Sequence, residues 1–132
     1  MSYSNYLAGS RDSNRQTQLA DIRSGLNLYS STKKLPIPEQ NIQVSAGATL
    51  IGYQGYAGEQ TLKSIGYNEG GKDPSDKTYF TYYLAANQRD FELMAFLENA
   101  PDNQTAYRVL TQSYADDVDY SDRYPTVTGK PL

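Results

Sequence analysis

Cysteine, histidine and tryptophan are absent from this 132-residue chain. Without the first two there are no disulfides, thiolate nucleophiles or imidazole bases, and the usual zinc ligands are lost as well, which excludes most common enzyme designs. Long apolar runs are missing too. No stretch approaches the roughly 20 residues that a membrane-spanning helix needs, and the opening residues do not read as an ordinary signal peptide. As it stands, the sequence reads as soluble. Positive charge is sparse and scattered: 12 Lys and Arg face 15 Asp and Glu, for a net charge of −3. With no basic cluster, a sequence-independent nucleic-acid surface is not expected.

Tyrosine is what the chain has in surplus, with 13 against 3 Phe, inside an apolar share of only 38%. Tyrosine suits half-wet surfaces and strand faces better than deep cores, so the core is expected to be modest. The length suits one domain, residues 1–132.

The clearest helical pattern is RDSNRQTQLADIRSGLNLY at 11–29. Leu19, Ile22, Leu26 and Tyr29 follow one another at intervals of three, four and three, which places them on one face of a helix. Residues 1–18 offer no comparable apolar stripe. The C-terminal half of the helix must therefore pack on something, while its N-terminal half is expected to stand in water or to be covered by other molecules. The spacing and composition place the helix at about 8–34, with Lys33 and Lys34 at the negative end of its dipole and Pro36 beyond. Gly25 interrupts the seam region. It reads either as a close approach of another backbone or as a tolerated surface glycine.

A glycine-punctuated connection is expected over 35–77. Within it Ile42, Val44, Ala46, Ala48 and Leu50 alternate as one irregular strand broken near Gly47, GYQGYAG at 52–58 reads as loop, and EQTLKSI at 59–65 can form a short helix. A β-hairpin is expected over 78–98. Pairing Ala86 with Phe91 sets Leu84 opposite Leu93, Tyr82 opposite Ala95 and Phe80 opposite Leu97, which makes one face wholly apolar. That face is the natural partner of the helix seam, so the fold class is α+β, a helix packed on a small antiparallel sheet. Residues 99–132 are expected to hold a third strand near Tyr107 and Val109, an acidic loop, and an extended tail from Pro125.

Candidate sites are few. GYNEGGKD at 66–73 resembles a phosphate-binding loop, but Asp73 stands where Ser or Thr is needed, and its carboxylate would repel phosphate. Asp117, Asp119 and Ser121 repeat the first oxygen donors of a calcium loop, with Asp116 beside them; yet Asp122 replaces the required glycine and Thr128 the bidentate Glu. This is either a looser calcium site at Asp116, Asp117 and Asp119 or a solvated acidic loop. The carboxylate pairs Glu59 with Glu69 and Asp73 with Asp76 have no spacing that selects them for catalysis. Tyrosines such as Tyr53, Tyr56, Tyr120 and Tyr124 make a glycan-binding or adhesion module the alternative function.

Two segments carry a family likeness. LADIRSGLNLYSSTKKLPIPE at 19–39 resembles the part of type IV pilins and type II secretion pseudopilins where a helix runs into a tyrosine, a polar turn and a proline-bearing exit. GGKDPSDKTYFTYYLAANQRDFELMAFLEN at 70–99 is similar to the part that follows, where a KDP turn leads into a tyrosine-rich hairpin. The likeness covers roughly residues 4–99.

The resemblance implies a pilin-like fold and a structural subunit, not an enzyme. Its partners would be other copies of itself in a helical filament at the cell surface, together with a pilus or secretion assembly machinery. In that family the first half of the helix is hydrophobic, anchors the subunit in the inner membrane before assembly and forms the filament core afterwards. Here the equivalent half is not in the sequence, so the chain is expected to be either a truncated soluble fragment, the favoured reading, with Met1 as an added residue, or a departure from the family. The family's major pseudopilins hold calcium in a C-terminal loop, which adds interest to Asp116, Asp117 and Asp119. Many pilins close that loop with a disulfide, which this chain cannot form.

Overall fold

A computed structural model of the chain describes residues 3–68, 70–99 and 124–129. Helix α1, Tyr3–Ser30, is 28 residues long, or about 42 Å at 1.5 Å per residue. It begins earlier and ends earlier than the sequence pattern predicts. At the C-terminus the Ser30 hydroxyl donates to the Asn27 carbonyl and the Ser31 hydroxyl to that of Leu28. Beyond Ser30 the Ser31 and Thr32 amides donate to the Leu28 and Tyr29 carbonyls three residues back, a tighter turn in which the regular helix ends. Lys33 instead lies over the Tyr29 ring, 5.5 Å from its centroid. The exit is then pinned, because Leu35 is buried and its amide donates to the Gln88 carbonyl.

The connection after α1 holds more regular structure than expected. Strands β1, Glu39–Ala46, and β2, Thr49–Tyr56, form an antiparallel hairpin. The break near Gly47 is therefore a reversal of the chain: Ala46 pairs with Thr49 across a two-residue turn in which Gly47 has a φ of 62°. GYQGYAG is mostly strand as well. Glycines at this density argue for loop, but Gly52 and Gly55 are there to admit neighbours, since a Cβ would lie 2.4 Å from the Leu84 and Glu39 carbonyl oxygens respectively.

Helix α2, Glu59–Ser64, follows as the sequence predicts. Gly58 offers no side chain to cap it. The Glu39 carboxylate does so from β1, accepting from the Gln60 and Thr61 amides at 3.3 Å each. Ile65, just beyond, explains Gly25: a Cβ on Gly25 would lie 3.0 Å from Ile65 Cδ1, so the close neighbour is a side chain and not a backbone.

Strands β3, Thr81–Ala85, and β4, Phe91–Leu97, form the predicted hairpin in a different register. Leu84 pairs with Phe91 and Tyr82 with Leu93, a shift of two residues. The turn sets this. Ala85 donates to the Asp90 carbonyl, and the Asn87 side-chain oxygen accepts from the Arg89 and Asp90 amides. A two-residue shift preserves which side chains share a face, so the apolar face survives. Strand β5, Tyr124–Gly129, adds to β4, so part of the expected tail is a strand, and the described strands form an antiparallel meander ordered β1-β2-β3-β4-β5. The third strand expected near Tyr107 and Val109 lies outside the described residues.

The helix seam and the sheet's apolar face meet in the core. Leu19, Ile22 and Leu26 pack with Tyr82, Leu84, Phe91 and Leu93, all buried, and with Leu35 and Leu62 from the connection. Tyr82 and Phe91 meet edge to face at 6.4 Å. The Tyr82 hydroxyl donates to the Pro36 carbonyl at 2.9 Å, and burial raises the phenol's pKa far above its ordinary value. The α+β class is thus as expected.

Candidate functional site

The N-terminal half of α1 does not stand free. Ala8, Asp12, Arg15 and Gln18 are buried, and they continue the spacing of the apolar seam toward the N-terminus. Arg15 is fully enclosed, with 0% exposure. A guanidinium has five N–H donors, and each has a partner here. Nε donates to Asp73 Oδ2 at 2.7 Å and one terminal nitrogen to Asp73 Oδ1 at 3.0 Å and Ser75 Oγ at 2.7 Å. The other donates to Asp12 Oδ1 at 2.8 Å and Glu98 Oε2 at 2.7 Å.

The carboxylates are tied down in turn. Arg11 grips Glu98 in a two-point pair, both bonds 2.7 Å. Asp12 accepts the amides of Glu98 at 2.8 Å and Asn99 at 2.9 Å, which fastens the chain leaving β4 to the helix. Asp73 Oδ1 accepts the Ser75 and Asp76 amides, folding the KDPSD turn around itself. Gln18 closes the cluster: its amide nitrogen donates to the Lys72 carbonyl, and its oxygen accepts from the Gly71 amide. Gly71 has a φ of 90°, and a Cβ there would lie 2.3 Å from Leu62 Cδ1, so the turn reaches the helix only with glycine at this position.

Electrostatics follow from this geometry. Hydrogen bonds from Arg11 hold the Glu98 carboxyl down at about 2, against the opposing effect of burial and with help from Arg15. Burial pushes the Asp73 carboxyl up, but the Arg15 guanidinium and the Asp76 and Ser75 amides outweigh it and leave its pKa below the ordinary range. Burial disfavours the Arg15 cation as well. Its bonds to Asp73, Glu98 and Asp12 more than offset that, so its pKa is raised.

Chemically this cluster is a cross-link and not a reaction centre. A guanidinium with all five donors engaged has none to offer a substrate, and a carboxylate gripped as Glu98 is makes a poor base near neutral pH. It joins three parts of the chain: the helix, the 70–76 turn and the end of β4.

The residues singled out in sequence fare differently. Asp73, which spoiled the phosphate-loop pattern, is the anchor of Arg15. Asp116, Asp117 and Asp119 lie outside the described residues, as do Glu69 and Tyr120. Among the described residues, no group of three or more carboxylates is arranged to hold a metal. Tyr56 is buried, and Tyr53 is half-buried against the core, so these two do not form the exposed stacking surface expected of them. An open cavity of about 390 Å³ lies elsewhere, lined by Glu59, Leu62, Lys63, Tyr67, Lys72 and Tyr79 among others. Lys72 Nζ sits 4.9 Å from the Tyr79 ring centroid at its edge, which occupies that aromatic face.

Compared with protein-family models, curated proteins and solved structures, the chain matches none. Among the described residues, no helix is long and apolar enough to cross a membrane.

Proposed function

We propose that this chain is the globular domain of a pilin-like filament subunit, a structural protein and not an enzyme. One observation carries the reading. A single 28-residue helix lies along an antiparallel meander, and only its second half, from Leu19, contributes an apolar seam to the core. That is the arrangement the pilin resemblance implies. It is supported by a helix exit through Tyr29, a polar turn and Pro36, and by a KDP turn before the hairpin. The Arg15 cluster suits a subunit under tension, because it fastens the helix to the 70–76 turn and the end of β4 with directional bonds at the end away from the core. In this reading an apolar segment upstream of Tyr3 anchors the subunit in the inner membrane and packs against other copies in the filament. Calcium at Asp116, Asp117 and Asp119 would brace the C-terminal region.

The test is made in the source organism. The upstream reading frame should encode an apolar helix continuous with Tyr3. Antibodies raised against the domain should label surface filaments by electron microscopy, and deletion of the gene should remove them. Filaments that persist unlabelled after deletion would overturn the proposal.

A further inference from the structure

The edge of the sheet at β1 is unusual in what it lacks. Among the described residues, β1 is the terminal strand of the meander, bonded to β2 on one side. From Gln40 to Gly58 the chain has no Asp, Glu, Lys, Arg or Pro. Edge strands in soluble proteins are ordinarily blunted by an inward charge, a lysine or a proline, because their free N–H and C=O groups template pairing with another chain. Within this stretch β1 is largely exposed and bears apolar side chains, with Ile42 at 50% exposure, and Ile51 on the neighbouring β2 is 44% exposed.

The pairing of β1 with β2 has two register irregularities. The first falls between Glu39 and Ile42, where Gln40 has a φ of 51°. The second, between Val44 and Ser45, places its extra residue, Ile51, on β2. The run Ile42–Ala46 therefore stays unbroken on β1. Its order is apolar, polar, apolar, polar, apolar, symmetric about Val44.

We infer that β1 pairs with β1 of a second copy, antiparallel about a two-fold axis at Val44. This places Ile42 opposite Ala46, Gln43 opposite Ser45 and Val44 opposite itself, so that like meets like on both faces and no charge is buried. The pairing would join two meanders into one continuous sheet. A contact of one short strand buries less than the roughly 1,200 Å² of a standard stable interface, so the dimer is weak and concentration-dependent. In a head-to-tail filament a two-fold contact of this kind would link neighbouring filaments, so it stands or falls apart from the proposed function.

Sedimentation of the full chain over a concentration series tests it. The expected result is a monomer passing to a dimer. Val44→Lys sets two ammonium groups against each other on the axis and should weaken association on the order of tenfold or more, with an unchanged circular-dichroism melt. Should that variant fold poorly, the exposed Gln43→Lys serves in its place. The absence of cysteine permits a cleaner probe: Val44→Cys should form a disulfide-linked dimer under mild oxidation, whereas Gln16→Cys should not. A monomer at every concentration, a dimer indifferent to lysine at these positions, or growth beyond dimers would each overturn the inference.

Discussion

The two halves of α1 repeat the same spacing with opposite chemistry. Below Leu19 the seam is Ile22 and Leu26, buried against Leu84, Phe91 and Leu93. Above it the seam is Asp12, Arg15 and Gln18, buried against the 70–76 turn and the end of β4. Apolar packing is non-directional and tolerates small slides of the helix over the sheet. A guanidinium with five defined partners tolerates none. The lower half thus supplies most of the driving force, and the upper half supplies the register of the helix against the sheet. A buried ion network is weak evidence for net stability but is costly to break, since removing one partner strands the others.

The comparison is broken most directly at Arg15. Arg15→Ala leaves Asp73 and Asp12 buried without their counter-ion and is expected to cost about 3–5 kcal/mol in urea melts. Arg15→Lys should recover only part of this, because a point charge cannot reproduce the two-point pair with Asp73. A loss under about 1 kcal/mol for the alanine variant would place the cluster with ordinary surface pairs and end the distinction between the halves.

Leu26→Ala probes the other half and should cost about 2–5 kcal/mol through lost burial and a residual cavity. Its signature should differ from that of Arg15→Ala. The core variant should lose stability evenly across pH, whereas the effect of the Arg15 variant should shrink in acid.

Acid sharpens the contrast further. Glu98 titrates at about 2 in the folded protein and near its ordinary value of about 4.3 when unfolded. A depressed folded pKa contributes stability that is complete above the unfolded value and is lost as pH falls toward the folded one. Asp73 is shifted in the same direction. The melting temperature should therefore drop between roughly pH 4.5 and pH 2, and less steeply in Glu98→Gln. Equal slopes for the two proteins would show that this carboxylate does not couple to folding.

The smallest effect is expected at Gln16, which is exposed beside Arg15. Gln16→Ala should stay within about 0.5 kcal/mol of the parent. A larger loss would mean that the outer face of the helix is engaged as well.

Periodicity made the lower half of the fold legible because apolar side chains at helical spacing have few fates other than burial. The apolar face of the hairpin was readable for the same reason, and it survived an error of two residues because side-chain direction depends on parity. The β1–β2 hairpin was obscured by its own glycines: Gly52 and Gly55 weaken the strand signal, yet they are what lets the Leu84 and Glu39 carbonyls approach. The Arg15 cluster left one trace, polar residues at positions that continue the seam. Nothing local distinguishes such residues from a solvated face.

What the sequence alone determined is the α+β class, the position of the apolar seam, the face assignment of the β3–β4 pair and the absence of thiol and imidazole chemistry. Each follows from residue type and short-range spacing. Tertiary structure decided the register of that hairpin, the reversal at Gly47 and the burial of Arg15. The partners of that arginine, Asp73 and Glu98, lie 58 and 83 residues away along the chain. Whether a charged side chain is solvated or sealed depends on what the fold brings to it from such a distance, and its own sequence neighbours do not contain that information.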